Sequence, residues 1–246
     1  MKLTLLDGSV LVYDEPKTVL DIAMDISPSL NNRCVGAYIN SNYMVSCFTI
    51  INKDCKIEFV TERHDMYYQI VNYTAKLVTI LAMVDLYPDL DQIVQDGDNS
   101  KSEFNLYFKS NKYITVEDFP AIEKRAKEII DSSYPIGKYL SSKEIFVTQY
   151  KKIKVKGNLD KLIEMVEKKY ISYPVLKLRG EAFFALCGTL KNTNELYDLK
   201  LTSTSDYLLE DGCKVQVIYG IAATSETKMK SLERILENKK LYPGEF

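Results

Sequence analysis

The sequence predicts an α+β chain in which a small sheet folded over one helix precedes a larger mixed unit. Residues 1 to 60 alternate apolar and polar side chains in short runs broken by turn residues. A polar stretch, Thr61 to Asp65, is then followed by one long amphipathic segment. Beyond it, strand-like and helix-like runs mix without the regular alternation that a doubly wound parallel sheet requires. With 246 residues, 46% of them hydrophobic, the chain can bury two modest cores, so a folded two-domain chain is expected.

Leu3 and Leu5, the Asp7-Gly8 turn, then Val10 and Val12 read as a hairpin. Thr18 caps a short helix with an apolar face of Val19, Leu20, Ala23 and Met24, and Pro28 ends it. Cys34 to Ile39, Tyr43 to Val45 and Lys56 to Val60 read as strands, with Asn40 to Asn42 as a turn. The long helix carries Tyr67, Ile70, Val71, Thr74, Leu77, Val78, Leu81 and Ala82 on one stripe, and the domain boundary falls just before it, giving domains 1–62 and 63–246. Strands follow at Gln92 to Gln95 and Glu103 to Phe108. Thr115 with Asp118 opens a helix through Asp131, and Ser141 with Glu144 opens a shorter one. Asn158 caps a helix over Leu159 to Lys168. Strands at Ile171 to Val175, Phe183 to Cys187, Leu196 to Leu201 and Lys214 to Ile221 precede a closing helix from Ser225.

Lys and Arg number 32 against 34 Asp and Glu, so the net charge of −2 gives no global attraction to nucleic acid, and any RNA contact must be local. The five cysteines contain no C-x-x-C pair, and the chain opens without a charged-then-apolar leader, which favours free thiols and the cytoplasm. The longest apolar stretch, Leu77 to Val84, is far short of the roughly 20 residues that cross a bilayer, so no membrane segment is expected.

The run from Val19 to Leu30, set after Leu6-Asp7-Gly8-Ser9 and followed by Val35 to Asn40 and Asp54 to Val60, resembles the TGS domain that opens bacterial threonyl-tRNA synthetases. That resemblance implies a β-grasp fold. Beyond residue 65, three stretches (Leu81 to Pro88, Ile114 to Lys124 and Val217 to Ala222) resemble the second domain of those synthetases, of the threonyl/alanyl-tRNA synthetase editing type, which hydrolyses wrongly attached serine. The same head occurs on bacterial uridine-kinase-like nucleoside kinases, and Asp160-Lys161-Leu162 and the Tyr170 to Leu201 region resemble that group equally well. Neither a class II catalytic domain nor a kinase domain is expected within these 246 residues. Gly137-Lys138 lacks the earlier glycine and the hydroxyl of a phosphate loop and reads as a turn.

Ester hydrolysis needs an oriented water, a group titrating near neutrality and donors for the oxyanion. The resemblance implies two histidines four apart on the long helix, joined by a cysteine and a third histidine on a later loop. Those helix positions are Tyr73, with an ordinary pKa near 10, and Leu77, a hydrocarbon. Cys187 matches the cysteine, but Gly188-Thr189-Leu190-Lys191 supplies no histidine. Cys187 is either a core thiol or a remnant of the site, and Lys161 either an exposed charge or an anion-holding group. The chain's one histidine, His64, reads as a solvated linker residue, and no ligand spacing for a metal occurs. Lys152, Lys154 and Lys156 alternate with Ile153 and Val155 as on a strand exposing one face, suited to following phosphates or guarding a sheet edge.

These features favour a non-catalytic binding module without cofactor, contacting tRNA or other RNA, a nucleotide or a protein partner. The alternatives are a freestanding editing hydrolase using Cys187 and Lys161, and the regulatory head of a split system whose synthetase or kinase catalytic chain is separate.

Overall fold

A computed structural model describes residues 1–93, 103–152, 163–164, 166–167, 173–184, 188–208, 212 and 214–241. The chain forms two compact units. The first comprises Met1–Ile70, Pro135–Gln149 and Asn158–Lys191; the second comprises Val71–Tyr134, Tyr150–Gly157 and Asn192–Phe246.

The expected hairpin is β1 (Lys2–Thr4) and β2 (Val10–Val12), closed where the Asp7 carboxylate accepts the Ser9 N–H at 2.9 Å. After β3 (Lys17–Thr18), the Thr18 hydroxyl caps α1 (Val19–Ile26) by accepting from Asp21 N–H at 3.1 Å. The face of α1 differs from the expected one, because Ile22 is buried while Met24 lies 49% exposed. Pro28 does not simply stop this helix. It begins α2 (Pro28–Arg33), where its missing N–H costs nothing, and Ser27 serves as the end of one helix and the cap of the next. β4 (Gly36–Ile39), β5 (Tyr43–Ser46), β6 (Ile50–Ile51) and β7 (Cys55–Val60) follow, and Asn40 and Ser41 take the positive φ of the predicted turn. The strands form a five-stranded sheet in the order β2-β1-β7-β4-β5, with β1 and β7 parallel and the other pairs antiparallel. Leu3, Val19, Ile22, Ala37, Val45 and Ile57 fill its core.

α3 (Tyr67–Leu86) is buried far beyond the expected stripe: Ala75, Ile80 and Met83 are inaccessible along with Ile70, Leu77 and Leu81. A helix apolar on every side belongs in a core. It leads to β8 (Asp91–Ile93), β9 (Phe104–Lys109) and α4 (Phe119–Asp131). The chain then returns to the first unit through β10 (Ile136–Ser141), most of α5 (Lys143–Lys152), β11 (Tyr173–Leu178) and β12 (Glu181–Phe184), a three-stranded antiparallel sheet and its helix. β13 (Asp198–Leu208), β14 (Lys214–Ala223) and α6 (Glu226–Leu241) complete the second unit, whose antiparallel sheet runs β13-β14-β9-β8.

Several sequence expectations need correction. Gly137 and Lys138 are no turn; they lie in β10 opposite Lys177 and Leu176. Ser142, not Ser141, caps α5. Residues Tyr150 to Lys152 are helical and not the start of a strand, because they continue a capped helix of tolerated residues. Of the expected helix Leu159 to Lys168, the described residues 163, 164, 166 and 167 are helical. β3 and β6 escape a periodicity argument, since two residues carry no period.

Two positions give direct tests of the second unit. A Cβ on Gly220 would stand 2.6 Å from the buried Phe104 ring and 2.8 Å from the Lys200 carbonyl, so Gly220→Ala should cost about 2–3 kcal/mol by urea unfolding. Asp118 accepts the Thr115 N–H at 2.9 Å and is paired with Lys112, and that pairing, followed by the Thr115 bond, holds its carboxyl below the ordinary range. A depressed folded pKa stabilises above the unfolded value and is lost as pH falls through the folded one. Asp118→Asn should therefore cost about 1 kcal/mol at pH 7, with the gap closing below about pH 4 in thermal melts.

Candidate functional site

α3 contains no histidine and no cysteine. Leu77 is 2% exposed, and Tyr73 is half-buried, so the two positions implied by the resemblance offer a core hydrocarbon and a phenol. One residue before each stands a polar side chain. Asn72 Nδ2 donates to Glu103 O at 3.5 Å, and Lys76 Nζ donates to Asn105 Oδ1 at 3.2 Å, so this i, i+4 pair ties α3 to β9 within the second unit. Glu103 Oε1 accepts the Thr202 hydroxyl at 3.2 Å, and Thr202 sits at the register shift of β13. Next to that bulge, Leu201 N–H reaches Glu123 Oε1 at 2.7 Å. Burial pushes the Glu123 carboxyl above the ordinary range, and its oxygen is committed to the backbone beside the bulge. The sequence reasoning missed this half-buried cluster of Asn72, Lys76, Glu103, Asn105 and Thr202. The signal available was an amide and an ammonium four apart in an otherwise apolar helix.

The cluster offers an ammonium, amides, a hydroxyl and a carboxylate. Such a set binds hydroxyls, carboxylates or phosphates well and activates water poorly. A separate cavity of about 420 Å³ in the same unit is lined by Asp89, Lys109, Tyr113, Asp206 and Gln216 among others. Asp89 there already accepts Asn111 N–H at 2.6 Å, which makes it part of the loop's own structure.

The loop after residue 187 lies in the first unit. A Cβ on Gly188 would meet Ile70 at 3.0 Å, so this close approach requires glycine. Lys191 Nζ donates to Asn31 O at 2.9 Å and Asn32 O at 3.2 Å, placing its charge on the last carbonyls of α2. Thr189 is fully buried, and its Oγ1 has no hydrogen-bond partner. Cys187, Lys161, Lys154 and Lys156 lie outside the described residues, and Lys152 is the last residue of α5.

His64 is not the solvated residue expected. Its side chain is 13% exposed, Nδ1 accepts Met66 N–H at 2.9 Å and Nε2 lies 3.1 Å from Glu58 Oε1, which fixes the approach to α3. Cys34 and Cys47 are buried, and burial pushes the Cys34 thiol up to about 11, so it is unreactive near neutrality. Among the described residues no group of three metal-ligating side chains converges. No described helix is long and apolar enough to cross a membrane.

Residues 1–61 match the family model of the TGS domain. Almost the whole chain is, further, similar to threonine–tRNA ligases. That of Hahella chejuensis is 26% identical, covering 97% of this chain and 37% of the relative. Threonine–tRNA ligase 1 of Bacillus subtilis is 28% identical, covering 98% and 37%. That of Nitrosococcus oceani is 28% identical, covering 97% and 37%. The chain thus spans little more than a third of the length of these relatives.

A buried hydroxyl without a partner lowers stability relative to an apolar group of similar shape. Thr189→Val should therefore raise stability by about 1 kcal/mol in urea unfolding; a loss of that size would reveal a partner for the hydroxyl.

Proposed function

We propose that the chain is a non-catalytic binding module built on the head of a threonyl-tRNA synthetase, with residues 1–62 as its TGS-like β-grasp part and 63–246 as an editing-like part, acting on tRNA in the cytoplasm. The observation that carries this reading is the chemistry of α3: no histidine along its length, and a buried leucine at position 77. Similarity to threonine–tRNA ligases over nearly the whole chain supports the tRNA assignment. The half-buried ammonium and amides at α3 suit a polar ligand, and that helix carries no histidine to take a proton from water near neutrality. Lys191, spent on the carbonyls of α2, does not replace the missing base on the later loop.

The purified chain, incubated with serine-charged threonine tRNA, should release serine at the rate of buffer alone. Release more than about tenfold above buffer would overturn the non-catalytic reading and favour the freestanding hydrolase, because even one working acid–base group typically contributes about 10²-fold. In a binding titration, affinity for tRNA should fall about threefold per phosphate contact when monovalent salt rises from about 50 to 200 mM. Salt-independent binding of nucleosides in place of tRNA would instead align the chain with the nucleoside-kinase heads.

A further inference from the structure

β2 is the last strand of the first unit's sheet, and among the described residues no strand pairs with its outer side. The ladder with β1 bonds at alternate positions: Leu5 N–H reaches Ser9 O at 2.9 Å and Tyr13 N–H reaches Met1 O at 2.9 Å, with Leu3 opposite Leu11 between them. In an antiparallel ladder the intervening residues turn their peptide groups outward. Val10 and Val12 therefore present free backbone donors and acceptors along the rim. Their side chains are 52% and 65% exposed, and Leu6 beside them is 60% exposed. Natural edges are usually guarded by lysine, proline or a bulge, and β2 has none of these.

Charge decides what can cover this rim. From Leu3 to Pro16 the chain carries Asp7, Asp14 and Glu15 and no basic residue, and all three acids are exposed. Hydrogen bonds from Ser9 hold the Asp7 carboxyl below the ordinary range, so it stays ionised. Of the nearest cations, Lys17 is bonded to Asp25 at 2.7 Å, and Lys2, on β1 opposite Val12, stands one strand in from the rim, leaving the acids in the majority there. A second copy pairing antiparallel about Leu11 would set Glu15 against Asp7 at both ends, and like charges opposite one another are destabilising. A nucleic-acid backbone is repelled for the same reason.

We propose that β2 is a docking edge for an extended segment of a partner protein, with apolar residues at alternate positions and lysine or arginine at both ends. The segment adds a sixth strand, its backbone bonded to Val10 and Val12, its apolar side chains laid on the two valines, and its flanking cations against Asp7 at one end and Asp14 and Glu15 at the other. This surface is independent of any tRNA-binding role.

The test titrates the full chain with a labelled peptide of alternating valine and threonine flanked by two lysines at each end, and with the same peptide flanked by glutamates. The lysine-flanked peptide should bind at least tenfold more tightly, and hydrogen exchange at Val10 and Val12 should slow on binding. Val12→Pro removes only an outward N–H, a change tolerated on an edge strand, and should weaken binding at least tenfold with the melting profile retained. Val10→Lys should do the same by charge repulsion, and it keeps the test valid if the proline variant unfolds. Equal affinity for the two peptides, protection mapping away from β2, or binding unchanged in Val10→Lys would overturn the proposal. So would slowed exchange at Val10 and Val12 that rises with protein concentration without peptide, since it would show a second copy on the rim.

Discussion

The burial of α3 is the constraint on which most of the described chemistry depends. From Ile70 to Met83 the helix is closed off from water around most of its circumference, so each polar atom there must find a partner within the protein. Thr79 meets the demand inside the helix by donating to Ala75 O at 2.8 Å. Asn72 and Lys76 meet it outside, through β9. The result is an attachment of helix to sheet made by side chains within the second unit.

The same demand governs what position 77 can hold. An imidazole at position 77 would have to be held in the correct tautomer by a neighbour, as His64 is held between Met66 N–H and Glu58. Leu77 instead contributes packing. What remains is a framework of polar groups tied to β9 and to the residue just before it.

Much of the fold was legible in the residues. The Asp7-Gly8 turn, the Thr18 cap and the Thr115/Asp118 start each rest on a local hydrogen bond of the side chain, and the Asn40 to Asn42 turn on residues that tolerate positive φ, so local signals survive into the folded chain. The failures have equally physical causes. Pro28 stops a helix only when the chain does not begin another, and a proline at the first position of a helix favours that beginning. Gly137-Lys138 reads as a turn by composition, yet β11 supplies a partner strand that the local sequence does not announce. His64 is surrounded by polar residues in sequence, whereas in the fold it is largely covered and paired with Glu58 of β7. At the candidate site, the absence of helix histidines was legible outright, whereas the Asn72/Lys76 cluster depends on β9, about thirty residues away.

The extra residue at Thr202 reaches further than its own strand. Leu199 and Leu201 face inward before it, and the inserted residue shifts the parity so that Thr204, not Ser203, turns toward Gln216. Gln216 in turn clamps Ile114 through both its carbonyl and its amide, and Ile114 leads directly into the Thr115/Asp118 capping box of the short 3-10 turn (Val116–Asp118) before α4. Chain length at a single surface-edge position thus sets the phase of a strand, the seat of a buried amide and the entry angle of a distant helix. Adding or removing one residue there would turn the later side chains of the strand to the opposite face, which makes position 202 a fixed point for insertions and deletions.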